Sequence, residues 1–180
     1  PCLLTRIHRK LTFATNNREF NSTGNPLEID GYITGADMMI RRAALEKSGI
    51  FDPDFFMYSE EVELTWRIKK AGYSVYSVPA AEITHFGNVS VGQGKLNEFK
   101  ERCVLSGKCL FYEKTVGSEG VEVFLNTTVR DYARNVFHSV LTFSFGNIKH
   151  IGLIHSIAKE YLSALRIGEK PYRKQQRCGR

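Results

Sequence analysis

The chain has 180 residues, with 25 Lys and Arg against 19 Asp and Glu, for a formal charge of +6. Hydrophobic residues make up 42% and charged residues 24%, which excludes a disordered tail, a collagen-like repeat and a membrane-spanning bundle. No apolar run approaches the roughly 18 residues that cross a bilayer.

In chain order, residues 1–29 are polar and irregular, and Asn21 to Pro26 reads as loop. Tyr32 to Ile40 predicts a buried strand and turn, punctuated by Gly31 and Gly35. Arg41 to Ser48 suits a short helix, ended by Gly49 where positive φ is cheapest. Asp52-Pro53-Asp54 is a turn. Ser59 is placed to cap the next helix. Glu60, Glu61 and Glu63 fill its first turn and Arg67, Lys69 and Lys70 its last, so both ends complement the helix dipole. Gly72 closes it. Tyr73 to Val78 alternates as a strand does and stops at Pro79, and Ile83 to His85 reads as the end of another strand.

Residues 93–180 read as mostly helical, with a break at Thr115–Gly120. Val121 to Phe143 and Ile148 to Ile167 carry apolar residues at three- and four-residue spacings. The plain expectation for such stripes is packing onto the rest of the fold. The alternative is docking at a membrane surface beside anionic lipid.

Charge divides the chain unevenly, with net −1 in residues 1–90 and +7 in residues 91–180. Arg166 to Arg180 holds six basic residues against Glu169, and a solvated, partly disordered tail is the plain reading. Nucleic acid is not the expected partner. The basic excess lies away from the aromatics of the middle segment, and no known binding motif is present. Cys2, Cys103, Cys109 and Cys178 form no CxxC pair, which fits free thiols in a reducing cytoplasm.

Three features of the middle segment could carry chemistry. Glu60-Glu61 follows Phe55-Phe56-Met57-Tyr58. Carboxylates at a helix start are often simple capping charges. Set beside aromatic rings and a helix N-terminus, however, such a group is positioned and expected to stay ionised. It could then take a proton from a substrate hydroxyl. His85 ends a strand before Phe86-Gly87, a usual address for a ligand group, although a lone His is more often structural. Gly35-Ala36-Asp37 would let a substrate approach the backbone, and is equally consistent with a tight turn.

The order and spacing of these features are more specific than any one of them. Asp30-Gly31-Tyr32-Ile33-Thr34-Gly35-Ala36-Asp37 through Arg42 is followed by Phe51-Asp52-Pro53-Asp54-Phe55-Phe56-Met57-Tyr58-Ser59-Glu60-Glu61 through Arg67. Ala71-Gly72-Tyr73 to Pro79, then His85, Gly87 and Ser90, complete the pattern. Residues 30 to about 92 resemble the middle of bacterial family 2 glycosyltransferases, especially the rhamnosyltransferase-like group.

The resemblance implies the GT-A fold, an α/β sandwich around a mostly parallel sheet. It implies inverting transfer of a sugar, rhamnose in the nearest-looking members, from a nucleotide-sugar donor to a glycan or lipid-linked acceptor hydroxyl, in cell-surface polysaccharide synthesis. On that basis residues 1–92 are the acceptor-side half of a catalytic domain and residues 93–180 a basic helical extension. Cytoplasmic placement, peripheral on the inner face of the membrane, follows from the same expectation.

Carried over by position, Glu61 is the general base and Glu60 its partner. Gly35, Ala36 and Asp37 line the pocket, and Arg67 binds there by orienting the acidic pair. His85 helps hold a divalent cation, Mg2+ or Mn2+, on the donor diphosphate.

Two departures stand out. The family pair is Glu-Asp, and Glu61 adds a methylene that moves the carboxylate by about an ångström. The nucleotide-binding half with its Asp-x-Asp normally precedes this region. The chain is therefore expected to begin inside a longer enzyme, with Asp52-Pro53-Asp54 only a decoy for that motif. These departures leave one alternative, a non-catalytic module that keeps the shape and binds a glycan or a partner protein.

Overall fold

Leu27 and Glu28 pair with Ser77 and Tyr76 in the computed structural model, which describes residues 24–84 and 96–177. The described residues fall into two units, 24–53 with 59–84, and 54–58 with 96–177.

The first unit contains strand β1 (Leu27–Glu28), helix α1 (Arg42–Ser48), helix α2 (Glu60–Lys70) and strand β2 (Tyr76–Ser77). The strands run antiparallel, and Ile29 N–H extends the ladder to the Val75 carbonyl at 2.9 Å. Lys69 Nζ donates to the Ile29 carbonyl at 2.5 Å, which ties α2 to the ladder. Leu64 and Ile68, one turn apart on α2, bury against Ala44 of α1, with Ile40, Leu45 and Tyr73 packed around them. Gly49 ends α1 at φ 78°, and a Cβ there would lie 3.2 Å from Arg67 Nη1. The positive φ favours glycine here, and a Cβ would also press on the Arg67 guanidinium.

Some expectations for this unit change. Tyr32 to Ile40 forms no continuous strand, and Tyr32 makes an isolated bridge. Thr34 Oγ1 donates to Asp37 Oδ1 at 2.8 Å, and Asp37 N–H donates to the Thr34 carbonyl at 3.3 Å. A local side-chain turn has displaced the extended backbone. Ile83 and Thr84 lie outside any strand, and His85 lies outside the described residues. The mostly parallel sheet implied by the resemblance is not seen among the described residues, whose sheet has two antiparallel strands.

The second unit is helical: α3 (Glu98–Thr115), α4 (Ser118–Arg130), α5 (Tyr132–Leu141), α6 (Gly146–Arg166) and α7 (Pro171–Arg177). Asn97 caps α3 by accepting from Lys100 N–H at 3.2 Å. Helix α3 packs against α4, α6 and α7. Its small residues Ser106 and Gly107 are buried among larger neighbours. Inside this core Ser106 Oγ and Tyr161 Oη share a hydrogen bond at 2.8 Å. Cys103 and Cys109 are fully buried; Cys2 and Cys178 lie outside the described residues.

Two expectations change in this unit as well. The stretch from Val121 to Phe143 is two helices, interrupted at Asp131. The basic tail is not simply solvated. Lys170 Nζ and Arg173 Nε donate to the two oxygens of Glu113 at 2.6 and 2.7 Å, and Tyr172 is fully buried. No helix among the described residues is long and apolar enough to cross a membrane.

Candidate active site

The chain enters α2 through two non-glycine residues in the left-handed region, Tyr58 at φ 66° and Ser59 at φ 71°. Each costs about 1–2 kcal/mol relative to ordinary backbone, and such strain concentrates at functional turns. Ser59 was expected to cap the helix with its hydroxyl. In this conformation its side chain makes no capping bond, while its carbonyl accepts from Glu63 N–H at 3.0 Å. The turn sets Glu60 and Glu61 on the first turn of α2.

Glu61 is half-buried. Burial, and then the neighbouring Glu60 charge, push its carboxyl up to about 7; backbone hydrogen bonds at Glu61 and Ser59 oppose the rise but do not cancel it. The sequence led us to expect a carboxylate kept ionised by the helix dipole. Desolvation outweighs the dipole here, so Glu61 is about half protonated at neutral pH. A group so balanced can take up or release a proton near neutrality. Beside it, Glu60 Oε2 is buried and has no hydrogen-bond partner among the described residues, an acceptor held ready for a donor.

Gly35 lies directly against Glu61: a Cβ built on it would sit 3.8 Å from Glu61 Cβ. Ala36 and Asp37 continue the same exposed turn. The structure therefore brings the Gly35 turn and Glu61 together from positions about 25 residues apart.

It directs Arg67 elsewhere. The guanidinium meets Glu63 through Nε at 2.7 and 2.9 Å and through Nη2 at 2.7 Å. It also donates to the carbonyls of Ser48 and Ile50, the latter at 2.7 Å. The expected orientation of Glu60 and Glu61 by Arg67 is replaced by a clamp that closes the end of α1 onto α2. Glu63 is therefore more than a capping charge; its four-residue spacing from Arg67 is the sequence signal for this pair. The left-handed turn at Tyr58 and Ser59 had no signal in residue type.

Among the described residues no group of three or more His, Cys, Asp or Glu could hold a metal ion. His85, the residue assigned to a metal by resemblance, lies outside them.

The chain is similar to the N-acetylglucosaminyl-diphospho-decaprenol L-rhamnosyltransferase of Mycobacterium tuberculosis, in strains CDC 1551 / Oshkosh and ATCC 25618 / H37Rv. The match is 40% identical over 63 residues, which is 35% of this chain and 20% of the relative. The chain thus matches about a fifth of the length of these curated relatives. Over that stretch it is related to a glycosyltransferase. No protein-family profile matches the chain, and no solved structure matches it.

Proposed function

We propose that residues 1–92 are the acceptor-side half of the catalytic domain of an inverting glycosyltransferase of the GT-A fold, with Glu61 as general base. The observation that carries this reading is the Glu61 carboxyl, half-buried beside Gly35 and balanced near neutral pH. A transferase of this kind must remove a proton from a sugar hydroxyl, whose own acidity is far too low for it to ionise at neutral pH. A carboxylate with a raised proton affinity is the better base for that task, and positioned bases of this kind contribute roughly 10²–10⁴ in rate.

In the proposed reaction the acceptor hydroxyl enters over Gly35, where the absence of a side chain leaves room. Glu60 Oε2 accepts a hydrogen bond from a neighbouring acceptor hydroxyl and fixes its direction. Glu61 takes the proton as the acceptor oxygen attacks the anomeric carbon, and the bond to the nucleotide diphosphate breaks on the opposite face. Ala36 and Asp37 line the approach. A divalent cation on the diphosphate, with His85 as its assigned residue, would offset the charge building on the leaving group.

The relative's name supplies the substrates to try first: activated L-rhamnose as donor and N-acetylglucosaminyl-diphospho-decaprenol as acceptor. The test incubates the full-length protein with both and looks for a product heavier by one deoxyhexose. Product formation that falls at least a hundredfold in Glu61→Gln supports the reading. Glycan binding without turnover in the wild-type protein contradicts it and favours a non-catalytic binding module.

A further inference from the structure

The Asp52-Pro53-Asp54 turn takes no part in the reaction proposed above, yet its second carboxylate is held in place. Asp54 Oδ2 accepts from Lys114 Nζ at 2.6 Å. Asp54 to Tyr58 belong to the second unit, as does α3 with its Lys114. Arg173 on α7 also feels this carboxylate. A hydrogen bond to Glu113 is the main cause that holds the Arg173 guanidinium above its usual range, and the charge of Asp54 adds to it. Glu113 directly precedes Lys114 and accepts from both Lys170 and Arg173. Asp54 is thus tied into a set of opposite charges at the C-terminal end of α3.

The residues after Asp54 make that tie consequential. Phe55 is buried. Tyr58 at φ 66° and Ser59 at φ 71° then carry the chain into α2. Strained backbone of this kind persists only where its surroundings over-determine it. Farther along, Val62, Leu64 and Ile68 are buried, which fixes the body of α2. Glu60 and Glu61 precede those residues, so their place depends on the turn before them. There the Ser59 carbonyl accepts from Glu63 N–H at 3.0 Å, without a side-chain cap to support the first turn. A helix start lacking such a cap frays more readily.

We propose that Lys114 is a positioning residue for the acidic pair. By holding Asp54 it keeps residues 54–58 on the course from which the chain enters the left-handed turn. The turn in turn keeps Glu60 and Glu61 helical. Lys114 touches no reacting atom and acts along the chain, through Asp54. This inference rests on the reading of Glu61 as general base.

The test compares the full-length protein with Lys114→Met, Asp54→Asn, both together, and Lys114→Arg. The Lys114 and Asp54 side chains are 26% and 49% exposed, and a pair of that kind adds little to stability. All four variants therefore fold, with far-ultraviolet dichroism and Tm matching the wild type. Lys114→Met and Asp54→Asn each lower kcat for sugar transfer by about tenfold and leave the KM for donor unchanged. The double variant loses no more than either single one, and Lys114→Arg restores most of the rate.

Two further readouts separate positioning from simple support of α3. The rising limb of kcat/KM against pH moves to lower pH in Lys114→Met, because a frayed first turn returns Glu61 to water. Hydrogen exchange at the Glu63 amide accelerates in both single variants. If kcat, the limb and Glu63 exchange all stay as in wild type while Glu61→Gln is inactive, the proposal is overturned and the base reading stands. A fall in kcat with the limb and Glu63 exchange unmoved overturns it too, as do losses that simply add in the double variant. Wild-type transfer by Glu61→Gln overturns the base reading and this proposal with it.

Discussion

Gly35 faces Glu61 across van der Waals distance, with an added Cβ placed 3.8 Å from Glu61 Cβ. That spacing is ordinary contact, and Gly35 does not occupy positive φ. Gly35→Ala therefore folds normally and gains up to about 1 kcal/mol from a stiffer unfolded chain. If the acceptor approaches over Gly35, the same methyl group obstructs it. The expected result is a Tm equal to or above wild type, with a KM for acceptor raised several-fold and an unchanged KM for donor. A lowered Tm with unchanged kinetics would assign Gly35 to a structural turn.

Glu61 gives a stability signature independent of turnover. Its folded-state pKa of about 7 lies above the ordinary 4.5, so the folded state holds the proton more tightly than the unfolded state. Its contribution is most favourable below about pH 4.5 and is lost as pH rises through about 7. Thermal melts of wild type against Glu61→Gln check this: the variant gains Tm relative to wild type between about pH 5 and 8, and the gain levels off above that range.

Arg67 tests the difference between a clamp and a substrate contact. Its side chain is 22% exposed and that of Glu63 only 6%. Removing the guanidinium leaves Glu63 buried without its countercharge and frees the carbonyls of Ser48 and Ile50. Arg67→Ala should cost about 3 kcal/mol. Arg67→Lys should recover little, because an ammonium cannot reproduce the fork that reaches carboxylate and carbonyls together. Urea denaturation measures both. Full stability with lost activity would restore Arg67 to the site.

Glu113 holds the C-terminal helix in the second unit. Burial alone would raise its carboxyl, but hydrogen bonds from Arg173 and Lys170 more than offset this and hold it below the usual carboxylate range. The attachment is complete above the ordinary carboxylate pKa and weakens as pH falls through the lowered one. Hydrogen exchange of the amides in Pro171–Arg177 should therefore accelerate selectively in Glu113→Gln, and in wild type under acid. Exchange unchanged by the substitution would show that burial of Tyr172 alone secures α7.

The sequence revealed local helices better than the setting of the site. Charge order located α2, and Gly49 located the end of α1, because capping and dipole effects act within one turn. The strand expected over Tyr32 to Ile40 gave way to a Thr34–Asp37 turn, since side-chain acceptors compete with extended backbone at short range. The interruption at Asp131 was hidden because apolar spacing continues across it. Glu61 and the Gly35 turn were legible as residues, but their proximity was not; it comes from packing of α2 onto Ala44 and the β1–β2 ladder. The raised proton affinity of Glu61 was likewise hidden, because desolvation depends on neighbours distant in sequence. The role of Arg67 was misplaced for the converse reason, that its carbonyl partners, Ser48 and Ile50, lie 19 and 17 residues away.

The central claim is that Glu61 accepts the acceptor proton. The most direct measurement is the pH dependence of kcat/KM for sugar transfer by the full-length protein, with Glu61→Gln alongside. The account predicts a wild-type rate that climbs with pH and levels off above about 7, following ionisation of Glu61. It predicts a variant rate lower by roughly 10²–10⁴ from which that limb is missing. A variant that keeps the same rising limb, or transfers sugar at the wild-type rate, would contradict it.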